Sequence, residues 1–283
     1  MRVYTSNAEI SAFIATEKHA SFSLGFVPTM GALHAGHLSL VKAALAENTL
    51  VVVSVFVNPT QFDNPSDLTN YPRTLTKDIQ LLETLSKTRV IVYAPTVSDV
   101  YGAETIATHF DFGGLESQME GKFRMGHFDG VGTIVKRLFE IVKPDTAYFG
   151  EKDFQQLQII KKMVEITQLT VTIVGCPIAR EPNGFAMSSR NSRLSSEELK
   201  ASDLIYKTLL SVKDKFKSET PEHIQQWVSA QFRNHPLFEL EYFQISESET
   251  LAPVQQKNQT KTYRAFIAVF ARDVRLIDNI ALN

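Results

Sequence analysis

The segment Phe26-Val-Pro-Thr-Met-Gly-Ala-Leu-His-Ala-Gly-His37 decides the fold of this chain. It continues an apolar run at residues 24–27 and leads into residues 37–46, where hydrophobic side chains recur at three-to-four-residue spacing. A strand followed at once by an amphipathic helix predicts a βα unit with two histidines at the helix N-terminus. Backbone N–H groups and the helix dipole favour an anion there, and Gly31 and Gly36 allow close approach of the main chain.

The same alternation of strand and helix continues to about residue 175. Almost continuously apolar runs, typical of strands covered on both faces, lie at residues 24–27, 50–57, 90–93, 147–149 and 171–174. Amphipathic stretches lie between several of them, at residues 37–46, 79–85 and 134–142. This pattern predicts an α/β fold with a doubly wound, Rossmann-like parallel sheet.

A second domain is expected after the sheet region. A stretch containing Pro, Gly and Ser at residues 176–196 precedes predicted helices at 197–217 and 221–232 and predicted strands at 240–246, 263–270 and 274–277. The length of 283 residues also exceeds the size at which one core usually stops growing. We therefore predict a Rossmann-like domain at residues 1–176 and a smaller α+β domain at residues 177–283.

Composition narrows the class of protein. Basic and acidic side chains, 29 and 31 in number, are mixed along the chain and give a net charge of -2, which argues against nucleic acid as a partner. The polar N-terminus lacks the apolar run of a signal peptide or membrane span. The single cysteine, Cys176, cannot form an internal disulfide and has no Cys/His cluster around it. We expect a cytoplasmic protein without membrane attachment.

The motif His34-Ala-Gly-His37 has two interpretations when it is taken alone. One is a tight turn with two surface histidines, and the other is an anion site at a helix N-terminus. Its position between a predicted strand and a predicted helix favours the anion site. Other phosphate-binding signatures are missing, because the chain has no Gly-x-x-x-x-Gly-Lys-[Ser/Thr] motif and Gly130-Val-Gly132 lacks the third glycine of a dinucleotide fingerprint.

The chain resembles a known family in several blocks. His-x-Gly-His is the signature of an adenylyl-transferring superfamily that includes nucleotidyltransferases and class I aminoacyl-tRNA synthetases. Within it, six blocks in family order resemble the pantoate-beta-alanine ligases: Pro28-Thr-Met-Gly-Ala-Leu-His-Ala-Gly-His37, Val55-Phe-Val-Asn-Pro-Thr-Gln-Phe62, Tyr71-Pro-Arg-Thr74, Gly126-His-Phe128, Phe149-Gly-Glu-Lys-Asp-Phe-Gln-Gln156 and Met187-Ser-Ser-Arg-Asn191. The resemblance extends through the closing segment at residues 272–279.

This resemblance implies a fold and a reaction. The fold is the Rossmann-like sheet of the HxGH nucleotidyl-transferase type. The reaction is the ATP-dependent condensation of (R)-pantoate with beta-alanine to pantothenate, through a pantoyl-adenylate intermediate with release of pyrophosphate and AMP. ATP is then a substrate, Mg²⁺ is held mainly by its phosphates, and no residue is expected to be a metal ligand. The resemblance also implies a homodimer whose partners are otherwise small molecules.

Site residues follow from the matched blocks. Those implied to be catalytic are His34, His37, Lys152 and Arg190. Those implied to contact ATP are Met30, Gly31, Ala32, Leu33, His34, Ala35, Gly36, His37, Gly150, Glu151, Lys152, Asp153, Ala179, Met187, Ser188, Ser189 and Arg190. Gln61 and Gln156 are implied to bind pantoate and beta-alanine, with Met30 and Phe62 as a candidate apolar wall.

The chemistry of these side chains fits such roles, although each has a simpler alternative. Lys152 suits phosphate oxygens, but it could also be an exposed lysine at a helix start that Asp153 caps. The hydroxyls and guanidinium of Ser188-Ser-Arg190 suit a triphosphate clamp that closes over the site from the second domain, but could form only a polar loop. His37 is expected to act as an acid, since imidazole changes charge near neutral pH.

Some residues and functions stay open. Asp78 could approach a magnesium ion, but a surface carboxylate is the preferred expectation. Arg124 and His127 receive no role because Met125 stands where the family often has proline. A nucleotidyltransferase, a class I synthetase and a non-catalytic binding module are the competing functions. The paired glutamines argue against a nucleotidyltransferase. The lack of a basic tRNA-binding region after Ser196 argues against a class I synthetase, and the complete set of site residues argues against a non-catalytic module.

Overall fold

The computed structural model describes residues 1–17, 19, 21–62 and 65–283, with residues 65–67 described for their backbone only. The chain divides into two compact units, Met1–Pro177 and Ile178–Asn283. The strands of the first unit are β1 (Arg2–Tyr4), β2 (Leu24–Thr29), β3 (Leu50–Val55), β4 (Val90–Tyr93), β5 (Thr146–Gly150) and β6 (Thr172–Cys176). Its helices are α1 (Asn7–Glu17), α2 (Ala35–Glu47), α3 (Pro65–Asn70), α4 (Leu75–Glu83), α5 (Val97–Tyr101), α6 (Met119–Phe123), α7 (His127–Val142) and α8 (Phe154–Thr167).

The six strands form one parallel sheet in the order β1-β4-β3-β2-β5-β6. From β2 the chain proceeds outward through β3 and β4, and it then returns to add β5 and β6 on the other side. The strand order therefore reverses between β2 and β5, which is where open α/β sheets bind ligands. The predicted doubly wound fold is confirmed.

Both faces of the sheet are covered, which explains why its strands are continuously apolar. On one face, Val27 of β2 and Val53 of β3 pack with Val41 of α2 and Leu82 of α4. On the other face, the ring of Phe139 in α7 lies edge-on to Phe26 of β2, at a centroid distance of 6.0 Å. Because all neighbouring strands are parallel, their carboxyl ends lie on one rim of the sheet.

Pro28 lies where the pairing of β2 with β5 ends. The registered pairs of these strands stop at Phe26 with Ala147, although β2 continues beside β3 to its last residue. The Leu24 carbonyl accepts a hydrogen bond from the Asp145 N–H at 2.9 Å, so alternate residues of β2, including Pro28, face β5. Proline has no N–H to donate on that side, and the two strands no longer pair towards the rim.

The N-terminal strand β1 was not predicted from the sequence. Arg2, Val3 and Tyr4 pair in parallel with β4 at the edge of the sheet. The segment is short and polar, so neither alternation nor an apolar run marks it as a strand. The polar segment leads into the helix α1. No helix of the described chain has the length and apolarity needed to cross a membrane.

The second unit combines helices with an antiparallel sheet. Its helices are α9 (Ser196–Ala201), α10 (Asp203–Lys215) and α11 (Pro221–Phe232), and its strands are β7 (Glu239–Glu247), β8 (Tyr263–Ala271) and β9 (Val274–Ala281), in the order β7-β8-β9. Leu209 of α10, Val228 of α11 and Ile267 of β8 belong to one fully buried core. The predicted α+β character of this region is confirmed.

Candidate active site at the carboxyl ends of β2 and β5

His34 and His37 together cap the N-terminus of α2. Nδ1 of His34 accepts the backbone N–H of Gly36 at 3.1 Å, and Nδ1 of His37 accepts the backbone N–H of His34 at 3.3 Å. The backbone N–H groups of His37 and Leu38 both bond to the His34 carbonyl, and the ring centroids are 4.2 Å apart. Several amides that were expected to face an anion are thus already bonded within the cap.

These bonds decide where each imidazole carries its proton. A ring nitrogen that accepts a hydrogen bond bears no hydrogen, so each neutral ring is protonated on Nε2. Burial, reinforced by His34 and Lys152, lowers the pKa of His37 to about 3. Burial and the charge of Lys152 also lower the pKa of His34. The low pKa contradicts the expectation that His37 changes charge near neutral pH, and both rings are neutral Nε2–H donors there.

Lys152 lies close to the two histidines. It occupies a single 3-10 turn, Glu151–Asp153, directly after β5. Its side chain is only 17% exposed, and Nζ is 4.0 Å from Oδ1 of Asp153. Asp153 makes no side-chain capping bond to α8, so the simpler interpretation of an exposed lysine beside a capping aspartate does not hold. An ammonium and two imidazole donors are therefore neighbours at the rim where β2 and β5 cease to pair.

Asp78 holds the turn that connects β2 to this site. The side chain belongs to α4 and is 1% exposed. Its Oδ2 accepts the N–H of Ala32 at 3.1 Å, its Oδ1 accepts the N–H of Leu33 at 2.8 Å, and the Thr74 hydroxyl donates to both oxygens at 3.2 and 3.3 Å. The expected surface carboxylate is thus a buried one. Sequence could not reveal this, because the bonded residues are 45 and 46 positions away.

The turn itself has an unusual backbone. Gly31 and Ala32 both adopt positive φ, at 82° and 49°. A Cβ on Gly31 would lie 2.9 Å from Val55 Cγ1 and 3.1 Å from Asp78 Oδ2. For alanine the left-handed region costs about 1–2 kcal/mol, so other contacts must hold it. Since Asp78 takes the amides of Ala32 and Leu33, those two residues have no N–H left for a phosphate.

Gln61 is fixed through both its side chain and its main chain. Nδ2 of the buried Asn58 donates to Gln61 Oε1 at 3.1 Å, and Gln61 Nε2 contacts Sδ of Met30 at 3.0 Å. The Gln61 carbonyl bonds to Nδ1 of His127 at 2.8 Å and to Nη2 of Arg124 at 3.2 Å. Arg124 and His127 thus support Gln61. Asn58 was missed because an asparagine before proline looks like an ordinary turn residue.

A glycine allows α7 to approach this turn. A Cβ on Gly130 would lie 2.3 Å from the Thr60 carbonyl oxygen and 2.9 Å from Gln61 Cα. Gly130 therefore brings the helix that begins at His127 into direct contact with the backbone of Gln61. In the segment Gly130-Val-Gly132, Gly130 therefore has a packing role.

The adjacent glutamines of α8 differ in their surroundings. Gln155 is buried, donates to the carbonyls of Leu115 and Gln118 at 2.8 Å each, and accepts the N–H of Glu120 at 3.0 Å. Gln156 is partly exposed and makes no hydrogen bond with its side chain within the described part of the chain. The amide of Gln155 uses its donors and its acceptor on residues 115–120, whereas the amide of Gln156 is open to a ligand.

The remaining predicted residues belong to the second unit. The N–H of Met187 bonds to the Ala179 carbonyl at 2.9 Å, which closes a short hairpin. Ser188 then caps a 3-10 helix, Ser189–Arg193, by accepting the Arg190 N–H at 3.3 Å. Arg190 is exposed, and its guanidinium has no partner among the residues that the structure describes. These five residues are neighbours within their own unit.

The carboxyl end of that 3-10 helix is tied to the turn between β8 and β9. Arg272, at positive φ in this turn, donates to the Arg193 carbonyl at 3.3 Å and pairs with the buried Glu198 at 2.7 and 2.9 Å. Arg193 itself forms an ion pair with Asp273 in the same turn. The contacts of Arg272 hold the backbone that carries Arg190, whereas the pair of Arg193 with Asp273 is exposed.

Metal-ligand chemistry is sparse. Within the described ranges, no group of three or more His, Cys, Asp or Glu side chains is arranged to hold a metal ion. Asp78 uses both carboxylate oxygens in hydrogen bonds, while Asp153 is 53% exposed beside Lys152.

Comparison with known proteins gives consistent matches over the whole chain. A family model described as pantoate-beta-alanine ligase matches residues 2–281. A protein named pantothenate synthetase from Christiangramia forsetii is 54% identical over 283 residues, covering all of both chains. The crystal structure of pantothenate synthetase from Thermus thermophilus matches with a TM-score of 0.89 and 38% identity, covering 100% of this chain and 99% of that one.

A further solved structure contains ligands. It is the pantoate-beta-alanine ligase from Francisella tularensis, complexed with beta-gamma ATP and beta-alanine. It matches with a TM-score of 0.80 and 35% identity, covering 100% of this chain and 98% of that one.

Proposed function

This chain belongs to the pantoate-beta-alanine ligase family, and from that premise we propose which of its residues carry out each part of the reaction. The chain is a ligase that condenses pantoate with beta-alanine and uses ATP as a substrate. Because the family model matches nearly the whole chain, the nucleotidyltransferase, the class I synthetase and the non-catalytic module are set aside.

One observation carries the assignment of the ATP site. Two neutral imidazoles and one ammonium lie together at the rim between β2 and β5, and both imidazoles have their remaining proton on Nε2. In this proposal the Nε2–H groups of His34 and His37 and the Nζ of Lys152 bind phosphate oxygens of ATP. Donation from these fixed N–H groups strengthens as negative charge develops on the phosphate oxygens.

The proposed reaction has two steps. A pantoate carboxylate oxygen attacks the α-phosphorus in line, a new O–P bond forms, and the bond to the β-phosphate bridging oxygen breaks to release pyrophosphate. The enzyme contributes positioning and hydrogen-bond donors, and no proton transfer is needed in this step. The beta-alanine ammonium loses a proton to solvent, and its amine then attacks the acyl carbon of the adenylate. The C–N bond forms, the bond from the acyl carbon to the phosphate oxygen breaks, AMP leaves, and the second nitrogen proton passes to solvent.

We assign pantoate to the side of the site that Gln61 and Gln156 line. A neutral amide can donate to a carboxylate or hydroxyl without competing as a nucleophile. Asn58 holds Gln61 Oε1, and Gln61 Nε2 donates one N–H to Met30 Sδ, so its second N–H is the donor that remains for a ligand. Met30 is proposed as an apolar contact for the dimethyl group. The open amide of Gln156 supports the same role.

We assign the second unit the completion of the ATP site. Ala179 and Met187, Ser188, Ser189 and Arg190 are proposed to contact the nucleotide, with Arg190 neutralising phosphate charge. Support comes from the family resemblance of residues 187–191 and from an exposed guanidinium beside two hydroxyls. Closure of this segment over bound ATP would exclude water and protect the adenylate.

Mg²⁺ is proposed to be held mainly by the ATP phosphates. Asp78 is not assigned as a ligand, because both of its oxygens accept hydrogen bonds within the turn. Mg²⁺ would neutralise phosphate charge when bound with ATP. No protein ligand is assigned to it, and no step depends on its position.

Cytoplasmic location and a homodimer complete the proposal. The lone Cys176 is buried, and burial raises the pKa of its thiol to about 11, so it is an unreactive thiol rather than half of a disulfide. The homodimer rests on the family resemblance, and light scattering of the purified chain tests it. A mass of one chain, 31.8 kDa, would contradict it.

The decisive experiment separates the two steps. We expect ATP and pantoate alone to release pyrophosphate up to one equivalent of enzyme, and added beta-alanine to give AMP and pantothenate in equal amounts. Enzyme incubated with ATP and beta-alanine but without pantoate is the control. Absence of pantoate-dependent pyrophosphate would contradict an adenylate mechanism.

A further inference from the structure

We propose that Asp78 is a positioning residue for adenylation: through the turn at residues 31–33 it holds His34 and His37 in the geometry that directs their Nε2–H groups to ATP. The inference rests on the proposed role of the two histidines. It assigns Asp78 no contact with the substrates.

The surroundings of Asp78 are those of a built site rather than of a surface side chain. The side chain is 1% exposed, and the partners of its oxygens in the described chain are neutral groups rather than Lys, Arg or His. Two backbone N–H groups and one hydroxyl satisfy its oxygens instead. A buried carboxylate is costly unless it is hydrogen-bonded, so its retention indicates that these particular bonds matter.

The bonded backbone leads directly to the histidines. Ala32 is held at φ 49° and Leu33 is buried, and the next residue is His34. The N–H of His34 is the donor that His37 Nδ1 accepts. A change in the direction of the chain at Leu33 therefore moves the N–H that keeps the His37 proton on Nε2.

The sequence positions of the contact make it a link between two elements. Asp78 lies in the first turn of α4, whereas the turn it holds connects β2 with α2. Neither element can set the histidine geometry by itself, because the left-handed backbone at Ala32 needs a contact from outside the turn. Asp78 supplies that contact with both of its oxygens.

The test is Asp78→Asn, which keeps size and shape but replaces one acceptor oxygen with an N–H donor. One of the two backbone N–H groups then faces another donor, and the turn must shift. We expect pyrophosphate release with saturating ATP and pantoate to slow by about 100-fold, the lower end of the range for a lost transition-state donor. The KM for pantoate should change less than threefold.

Leu82→Ala is the matched control. Leu82 is fully buried on the same helix, one turn after Asp78. Its apolar side chain makes no hydrogen bond to the turn or to the histidines. This variant should lower the melting temperature at least as much as Asp78→Asn, while the rate of pyrophosphate release well below its melting temperature stays within twofold of wild type.

A second readout is independent of catalysis. The ring nitrogens of ¹⁵N-labelled histidine report the tautomer by NMR, and His34→Asn and His37→Asn spectra assign the two rings. Wild type and Leu82→Ala should show Nε2–H for both rings. Asp78→Asn should show a mixture of tautomers, or a measurable shift of the Nδ1 resonance, at His37.

The two readouts distinguish the ways in which the inference can fail. If Asp78→Asn leaves the histidine signals as in wild type, the positioning role is wrong, whether or not the reaction slows. If the histidine signals change as expected while the rate does not, the positioning role stands and the proposed ATP contact of the histidines is wrong.

Discussion

Nδ1 of His37 accepts the backbone N–H of His34 at 3.3 Å, so one nitrogen of the ring caps the helix while the other keeps its proton. The reciprocal bond from Gly36 to His34 Nδ1 gives the same division in the second ring. Capping and donation to a ligand are therefore carried by different atoms of each imidazole. Substitutions that imitate one nitrogen or the other can separate the two roles.

We predict that His37→Asn remains folded but loses adenylation. An asparagine Oδ1 can replace the accepting Nδ1, whereas the Nε2–H that would reach phosphate is gone. The rate of pyrophosphate release should fall about 100- to 1000-fold, as for removal of one preorganised donor. The urea midpoint should stay close to wild type. His37→Gln, which keeps an N–H near the Nε2 position, should be the more active variant, and the opposite order would contradict the tautomer assignment.

The two neighbouring glutamines of α8 should respond differently to alanine. Gln155→Ala leaves the Leu115 and Gln118 carbonyls without their buried donor, so it should lower the free energy of unfolding by about 1–3 kcal/mol. Gln156→Ala should leave stability unchanged and raise the KM for pantoate about 10- to 100-fold, with little change in the KM for ATP. Urea titration and initial rates measure the two effects. A pantoate KM that rises only in Gln155→Ala would place the substrate elsewhere.

The arginines of the 3-10 helix Ser189–Arg193 provide another matched pair. Arg190→Ala should reduce the rate of pyrophosphate release by at least about 100-fold, since a guanidinium on a developing phosphate charge acts mainly in the transition state. Arg193→Ala removes an exposed ion pair with Asp273 and should cost under about 1 kcal/mol in stability, with near-normal kinetics. Equal kinetic effects of the two substitutions would show that Arg190 has no special contact with ATP.

The pKa of His37 predicts how stability depends on pH. The folded pKa of about 3 lies below the ordinary value of 6.5, so the unfolded chain binds more protons between these limits. Stability is therefore lost as pH falls from 6.5 towards 3, by at most about 3 kcal/mol at pH 4. His37→Gln should abolish this part of the acid loss, as measured by urea titrations from about pH 4 to about pH 7.

His109 is the contrasting case for that experiment. A hydrogen bond to Asp129 raises its pKa, so any stability it provides is present below pH 6.5 and is lost as pH rises. His109→Gln should leave the acid loss unchanged or slightly steeper, because the ring is exposed. If both substitutions reduced the loss of stability at acid pH equally, the burial of His37 would not be the cause of that loss.

The sheet could be predicted because its strands are recorded locally in the sequence. Runs such as Val51-Val-Val53 are apolar without interruption, and only burial on both faces accounts for that pattern. β1 has no such apolar run, because Arg2–Tyr4 is a short edge strand. Its pairing with β4 is seen only in the folded chain. The helix start at Ala35 was placed two residues late, because histidine is not a usual capping residue.

The site could be predicted only in part, for a related reason. His34, His37 and Lys152 lie in motifs at the ends of strands, where sequence position already implies the rim. Asp78 and Asn58 act by being buried, and burial of a polar side chain depends on partners far along the chain. The neutral state of His37 likewise comes from desolvation. Residue types were therefore predictable, but contacts and protonation were not.

Pro28 gives the site a degree of mutational independence. Since the parting of β2 and β5 follows from a missing main-chain donor, it does not depend on how tightly α2 and α7 are packed. Substitutions in the hydrophobic layers on either side of the sheet can change stability without allowing β2 and β5 to pair again towards the rim. Members of the family can therefore differ widely in their core residues and keep the same gap between β2 and β5, provided that the proline of β2 is retained.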